Sequence, residues 1–273
     1  MSKRYPGGLI TKTPVVPTTS AAPGVWTLDQ AIRYILAGTW PRQPIPVIAV
    51  AYLASPYVNV YPWSAGFGTK YANPATLPTD FGFEVAFNPA GTAIAVAHGG
   101  SPNISTYPWS AGFGTKYANP ATLPTNNGYG VAFNSAGTAI AVAHETSPFI
   151  STYPWSAGFG TRYASPATLP TGLGYSVAFN PADTAIAVAH DVTPYISTYP
   201  WSAGFGTKYA NPATLPDGQG SDVAFNSTGN TIAVANATTT YITAYPWSAG
   251  FGTKYANPAT LPTGQGLGVT FFG

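Results

Sequence analysis

The chain has 273 residues, of which 45% are hydrophobic, 14% aromatic and only 7% charged, and its formal net charge is +2. An ordinary soluble domain carries about 25% charged residues, yet no apolar run here approaches the roughly 18 residues of a membrane span, so no membrane insertion is expected. The absence of cysteine excludes disulfides and thiolate metal sites, and so few cations exclude the basic stripe of a nucleic-acid binder.

Residues 1–43 differ from the rest. The start, Met1-Ser2-Lys3-Arg4-Tyr5-Pro6, lacks the apolar core of a signal peptide. Lys3, Arg4, Lys12, Arg33 and Arg42 against Asp29 make the arm basic, whereas residues 44–273 are slightly acidic. Gly7 to Pro23 is rich in Pro, Thr and Ser, and is expected to be extended without a core of its own. A short amphipathic helix is expected over about 27–38: Thr27 and Gln30 form a capping box, Gly38 is a stop, and Leu28, Ile32, Ile35 and Leu36 share one face. A helix this short is marginal alone, so it is expected to dock, with Leu9, Ile10, Trp26 and Trp40 as further anchoring residues.

From residue 44 onward a 46-residue unit recurs. Tyr-Pro-Trp-Ser-Ala-Gly-Phe-Gly-Thr places its Trp at 63, 109, 155, 201 and 247, and Val-Ala-Phe-Asn followed by Thr-x-Ile-Ala-Val-Ala starts at Val85, Val131 and Val177, and again at Val223 with Asn230 in place of the Thr. A period of 40–50 residues built from short strands points to β-propeller blades. Four strands are expected per unit: Val131 to Asn134, Ala139 to His144, Phe149 to Tyr153, and an outer strand over 158–163. Ile150 to Trp155 resembles the apolar strand that ends in Trp-Asp in WD40-type blades, although Tyr-Pro replaces that pair. The resemblance implies propeller architecture over 44–273.

The inner strand appears once more as Val269-Thr270-Phe271, and the rest of that unit as Ile48-Ala49-Val50-Ala51. The expected fold is therefore all-β, a five-bladed propeller whose last blade joins N- and C-terminal strands. The alternative is an open array that closes only by pairing with other copies. Lys70, Lys116, Arg162, Lys208 and Lys254 occupy one position in the outer segment and read as edge-protecting charges.

Differences among the copies concentrate in two windows expected on one face: 53–57 and its equivalents, and 80–84 and its equivalents. The candidate binding residues there are Tyr57, Asp80, Phe83, Glu84, Asn126, Asn127, Tyr129, Glu145, Phe149, Tyr175, Asp191, Tyr195, Asp222 and Tyr241. Aromatic side chains beside Asn and acids suit sugar or protein contacts, and binding commonly resides in loops on a rigid scaffold. The bland reading is drift between duplicated copies.

No catalytic motif is present. His98, His144 and His190 are equivalent positions that read as strand-capping residues rather than as a metal ring, and no metal or cofactor is expected. Trp63, Trp109, Trp155, Trp201 and Trp247 pack between blades in one reading. In the other they form five sugar platforms of a soluble, multivalent lectin-like propeller. A third reading is a purely architectural spacer.

Gly-Gly-Leu-Ile-Thr-Lys-Thr-Pro (7–14), Gly24 to Gln30 and Ala37-Gly38-Thr39-Trp40-Pro41 look like the N-terminal segment of structural proteins from tailed bacteriophages. The resemblance covers about 35 residues. It implies a virion component (fibre, tail or capsid decoration), anchored to other virion proteins by residues 1–43 and displaying a propeller toward host-surface glycan or protein.

Overall fold

The computed structural model describes residues 46–272, together with Asp29, Ile32 and Arg33, which are helical. By its contacts the chain divides into Met1–Pro46 and Val47–Gly273. Ile32, expected on the docking face of the arm helix, is 42% exposed. The other anchoring residues, Leu9, Ile10, Trp26, Leu28, Ile35, Leu36 and Trp40, lie outside the described residues.

The second unit is all β. Val47–Ala51 (β1) pairs with Val58–Pro62 (β2) in a two-stranded sheet. Four three-stranded antiparallel sheets follow: Gly82–Phe87 (β3), Ala93–His98 (β4) and Ile104–Pro108 (β5); Gly128–Phe133 (β6), Ala139–His144 (β7) and Ile150–Pro154 (β8); Gly174–Phe179 (β9), Ala185–His190 (β10) and Ile196–Pro200 (β11); Gly220–Phe225 (β12), Thr231–Asn236 (β13) and Ile242–Pro246 (β14). The middle strands are wholly buried across Ala-Ile-Ala-Val-Ala-His, and a strand apolar on both sides must be covered on both.

The period of two inside that strand explains how the sheets stack. Side chains alternate across a strand, so β4, β7 and β10 show alanines on one side and Ile/Val on the other. Ala93, Ala95 and Ala97 pack against Ile140 and Val142 of the next sheet. Ala139, Ala141 and Ala143 pack against Ile186 and Val188, and the same pairing joins β10 to β13. Small faces large at each junction, which lets layers interdigitate without voids.

Aromatic residues close the outer part of each junction. Trp155 meets Phe159 of its own unit at 5.3 Å, Phe133 at 5.3 Å and Tyr117 of the preceding unit at 5.4 Å, all edge to face. Trp109, Trp201 and Trp247 have the equivalent partners. Tyr107, Tyr153, Tyr199 and Tyr245 are fully buried, and each hydroxyl donates to the carbonyl of a threonine 31 residues earlier at 2.8–2.9 Å.

Two expectations need correction. The outer strand over 158–163 is not a strand. Ala157 and Gly158 turn the chain at positive φ, as do their equivalents, leaving one bridge between Trp155 and Phe159 and two backbone bonds, from Gly160 to Pro154 and from Tyr163 to Thr152. The sheets are therefore three-stranded, with an outer extended segment. The expected pairing of Val269-Thr270-Phe271 with β1 is also not made. Among the described residues β1 pairs only with β2, and 267–272 form no strand. Each sheet needs only its neighbours to bury its faces, so stacking is complete at each internal junction without the ends meeting.

That difference between internal and terminal junctions is measurable. Trp155 is 5% exposed and Trp63 is 38% exposed. In dilute solution Trp155→Ala is expected to lower stability by about 3–5 kcal/mol, and Trp63→Ala by well under half of that. Equal losses in urea titrations of the two variants would contradict the stacking described.

Candidate functional site

The two variable windows do share one face. Gly99 donates to the Phe81 carbonyl, Glu145 to that of Asn127, Asp191 to that of Leu173 and Ala237 to that of Gln219, at 2.9–3.3 Å. Side chains add to this zipper. Thr79, Thr125 and Thr171 hydroxyls donate to carbonyls across the gap, the Asn127 amide donates to Glu145 at 2.8 Å, and the Gly100 amide donates to Asn127 at 3.3 Å. Asp80 accepts from Phe81 at 2.8 Å. Asn126 is exposed and at positive φ.

Tyr57, Phe149, Tyr195 and Tyr241 occupy one position, and all lie at positive φ between 57° and 70°. Bulky residues rarely adopt that conformation. The cause is visible in the carbonyls: Phe149, Tyr195 and Tyr241 accept the amide of the residue that ends the middle strand, as Phe149 does from His144 at 3.0 Å, and Tyr57 accepts that of Tyr52, just past β1. The same carbonyls crowd the glycine that opens the inner strand. A Cβ on Gly128 would lie 2.3 Å from the Asn103 oxygen, and one on Gly174 would lie 2.5 Å from the Phe149 oxygen. Glycine is therefore fixed in the middle of a window that otherwise varies.

The second window is in fact the beginning of the inner strands. It brings part of the candidate set together: Phe83, Glu84, Tyr129, Tyr175 and Asp222 line one cavity of about 170 Å³ with Ser176, Ser221 and Leu267. Phe83 and Tyr129 rings lie 4.7 Å apart, and Tyr129 and Tyr175 lie 5.6 Å apart. Tyr57, Glu145, Phe149, Asp191, Tyr195 and Tyr241, on the loops between middle and third strands, and Asp80, Asn126 and Asn127, just before the inner strands, do not line it. Ser176, Ser221 and Leu267 were not singled out from sequence. The signal was there in the spacing, because Phe83, Tyr129, Tyr175, Ser221 and Leu267 follow one another at the repeat interval.

The two carboxylates in the cavity also brace the strands. Glu84 accepts the Val131 amide at 2.7 Å. Asp222 accepts the Ser176 hydroxyl at 2.6 Å, its neighbour Val223 at 2.8 Å and the Val269 amide at 2.7 Å. An inner strand has an edge without a strand beside it, and a carboxylate satisfies those donors. Burial pushes the Glu84 carboxyl up to about 8, against the pull of the Val131 amide and with Asp222 adding in the same direction. The Ser221 hydroxyl is buried without a partner.

The histidines do not point to a metal. His98, His144 and His190 are fully buried, and each Nε2 lies 2.9–3.0 Å from the hydroxyl of the serine seven residues on. Burial holds His144 and His190 down to about 4 and lowers His98 as well. Among the described residues no cluster of three or more His, Asp or Glu is assembled to hold a metal ion. Trp109, Trp155, Trp201 and Trp247 are 5–7% exposed, so these four do not offer ring faces to a sugar. Lys70, Lys116, Lys208 and Lys254 each donate to the Asn three residues on.

No protein family and no curated protein matches the chain. Solved structures do match its fold. One is a candidate 6-phosphogluconolactonase from Bacteroides fragilis (TM-score 0.65, 13% identity, 85% of this chain and 72% of that one). Another is a candidate 6-phosphogluconolactonase from Bacteroides uniformis (0.55, 14%, 77% and 66%). A third is Chaetomium thermophilum Sqt1, solved with the N-terminus of ribosomal protein L10 (0.55, 16%, 77% and 58%). The chain thus spans about three-fifths to three-quarters of the length of the proteins it resembles. Fold and likeness together define the class: an all-β, repeat-built protein of propeller-like architecture.

The buried groups set opposite pH slopes. Unfolded imidazoles take up protons below about 6.5, whereas folded His144 and His190 resist until about 4 and folded His98 is lowered too, so stability falls as pH drops through that window. Glu84 keeps in the folded state a proton that the unfolded chain gives up above 4.5, so stability falls as pH rises from there to about 8. Three imidazoles outweigh one carboxyl below 6.5, and above it only Glu84 acts. The melting temperature is expected to peak near pH 6.5. Glu84→Gln is expected to flatten the alkaline limb and leave the acid limb in place. A wild-type plateau from pH 6.5 to 8 in thermal scans would count against the assignment.

Proposed function

We propose that the chain is a non-enzymatic binding module, a virion appendage protein that recognises a host-surface glycan through its variable face. What carries the reading is the cavity lined by Phe83, Glu84, Tyr129, Tyr175 and Asp222. It is built where the units differ, on a scaffold where they are nearly the same. Aromatic edges, hydroxyls and carboxylates within one small space suit a polyhydroxylated ligand, which offers both C–H faces and donors. Both carboxylates are engaged by backbone amides, and the histidines are held inside their own sheets, which argues for recognition over acid–base chemistry.

In this reading each 46-residue unit is one blade. Four blades are continuous in sequence, and the fifth is assembled from β1, β2 and the inner-strand segment 266–271. Residues 1–43 form the anchor to other virion proteins, as the resemblance of 7–14, 24–30 and 37–41 to tailed-phage structural proteins implies. Localisation in the virion rests on that likeness alone.

An array of bacterial surface polysaccharides probed with the full chain is the direct test. Tyr175→Ala and Tyr129→Ala are expected to weaken binding tenfold or more, while Lys116→Ala, on the outer segment, leaves it unchanged. Binding that survives both tyrosine changes, or an array with no ligand at all, would remove the cavity from consideration. For the anchor, a chain lacking 1–43 is expected to be absent from purified particles.

A further inference from the structure

We infer that the cavity at the head of the inner strands takes an organic ammonium group, held against its aromatic rings and beside the Glu84 and Asp222 carboxylates. The inference rests on the reading of this cavity as the binding site, and names the part of the ligand that enters it.

Bulges build the cavity. In β3 the register against β4 runs from Gly82 straight to Glu84, so Phe83 is an extra residue. The same shift leaves Tyr129, Tyr175 and Ser221 as extra residues in β6, β9 and β12. A bulge re-aims a side chain that strict alternation would send to the other face. Consecutive residues of β3, β9 and β12 therefore reach one space, Phe83 together with Glu84 and Ser221 together with Asp222. Gly130 stands at the Glu84 position of the next unit. A Cβ there would lie 2.8 Å from the Ser176 Cα and 3.2 Å from Glu84 Oε2, so the absent side chain leaves room for the carboxyl head.

The lining carries one sign of charge. Two carboxyls face the cavity and no Lys, Arg or His does. Phe83, Tyr129 and Tyr175 form a continuous run, with ring centroids 4.7 and 5.6 Å apart. Aromatic rings attract a cation within about 6 Å of the ring centre, and a cage of them is suited to ammonium groups. The Ser221 hydroxyl, buried without a partner, is left to meet a polar atom of the ligand. At about 170 Å³ the space is below the roughly 300–1,000 Å³ of a site for a drug-sized molecule, so a single head group enters rather than a chain of sugars. A hard divalent ion fits less well. It asks for six to eight oxygen ligands, whereas Asp222 already accepts the Val223 and Val269 amides and the Ser176 hydroxyl, and much of the wall is aromatic.

Charge on Glu84 is coupled to the occupant. Burial pushes its carboxyl up to about 8, against the pull of the Val131 amide and with Asp222 adding to the rise. Asp222 of β12, Tyr129 of β6 and Tyr175 of β9 are the other titratable groups of the lining. A cation in the cavity favours the ionised form, so its binding expels a proton near neutral pH.

The test is calorimetric titration of the full chain with choline, whose charge does not change with pH, and with glucosamine, using N-acetylglucosamine as the neutral counterpart. At least one ammonium compound is expected to bind ten times or more as tightly as N-acetylglucosamine. Tighter choline would identify a choline head group as the source, and tighter glucosamine an unacetylated amino sugar. Choline affinity is expected to rise about tenfold per pH unit from pH 6 to 8 and to level off above. Glu84→Gln, which keeps an acceptor for the Val131 amide, is expected to flatten that rise, and Tyr175→Leu to weaken choline tenfold or more at every pH. N-acetylglucosamine bound as tightly as glucosamine, in a manner lost with Tyr175→Leu, would overturn the ammonium and leave the glycan reading standing. Failure of both ammonium compounds to saturate the chain, or binding that ignores both substitutions, would overturn it too, while the polysaccharide array judges the glycan reading separately.

Discussion

The contact between an alanine face and an Ile/Val face is what the rest of the molecule depends on. A strand reading Ala-Ile-Ala-Val-Ala offers two unlike surfaces, and burying both takes a neighbour on each side. Once one sheet is placed, the next is placed by it. The tryptophan clusters and tyrosine hydroxyl bonds then seal the outer parts of junctions whose inner parts are already set. Burial of this kind contributes through area removed from water and through close packing, so uniform strands give uniform spacing.

Much of this was legible in the sequence because the period repeats the same physical problem five times. The strand positions, the packing role of Tyr153 and Trp155 and the sharing of one face by the variable windows follow from alternation and turn chemistry. The outer strand was misjudged because Ala157 adopts a left-handed conformation that its residue type does not advertise. The start of the inner strand was read as loop because Gly128 and Gly130 look like turn residues. Gly128 is there because the Asn103 carbonyl leaves no room for a side chain.

The candidate site was only half legible. Variation between copies located the face, and the acids and aromatics on it. Which of them converge depends on the side of each inner strand, and that needs the register: the shift between Gly128 and Gly130 against β7 decides whether Tyr129 faces the cavity. The double role of Glu84 was also hidden. Bracing the Val131 amide depends on a residue 47 positions away, and no local pattern announces it.

The unit length has a consequence for the gene. Since the alanine-on-Ile/Val contact repeats from junction to junction, recombination between two copies would remove or add a whole 46-residue unit and leave that contact available at the junction newly formed. Repeat number can then change in whole steps, and each step carries its own loop and inner-strand residues with it. Loop identity and array length would vary together, in one event, while residues 1–43 keep their sequence.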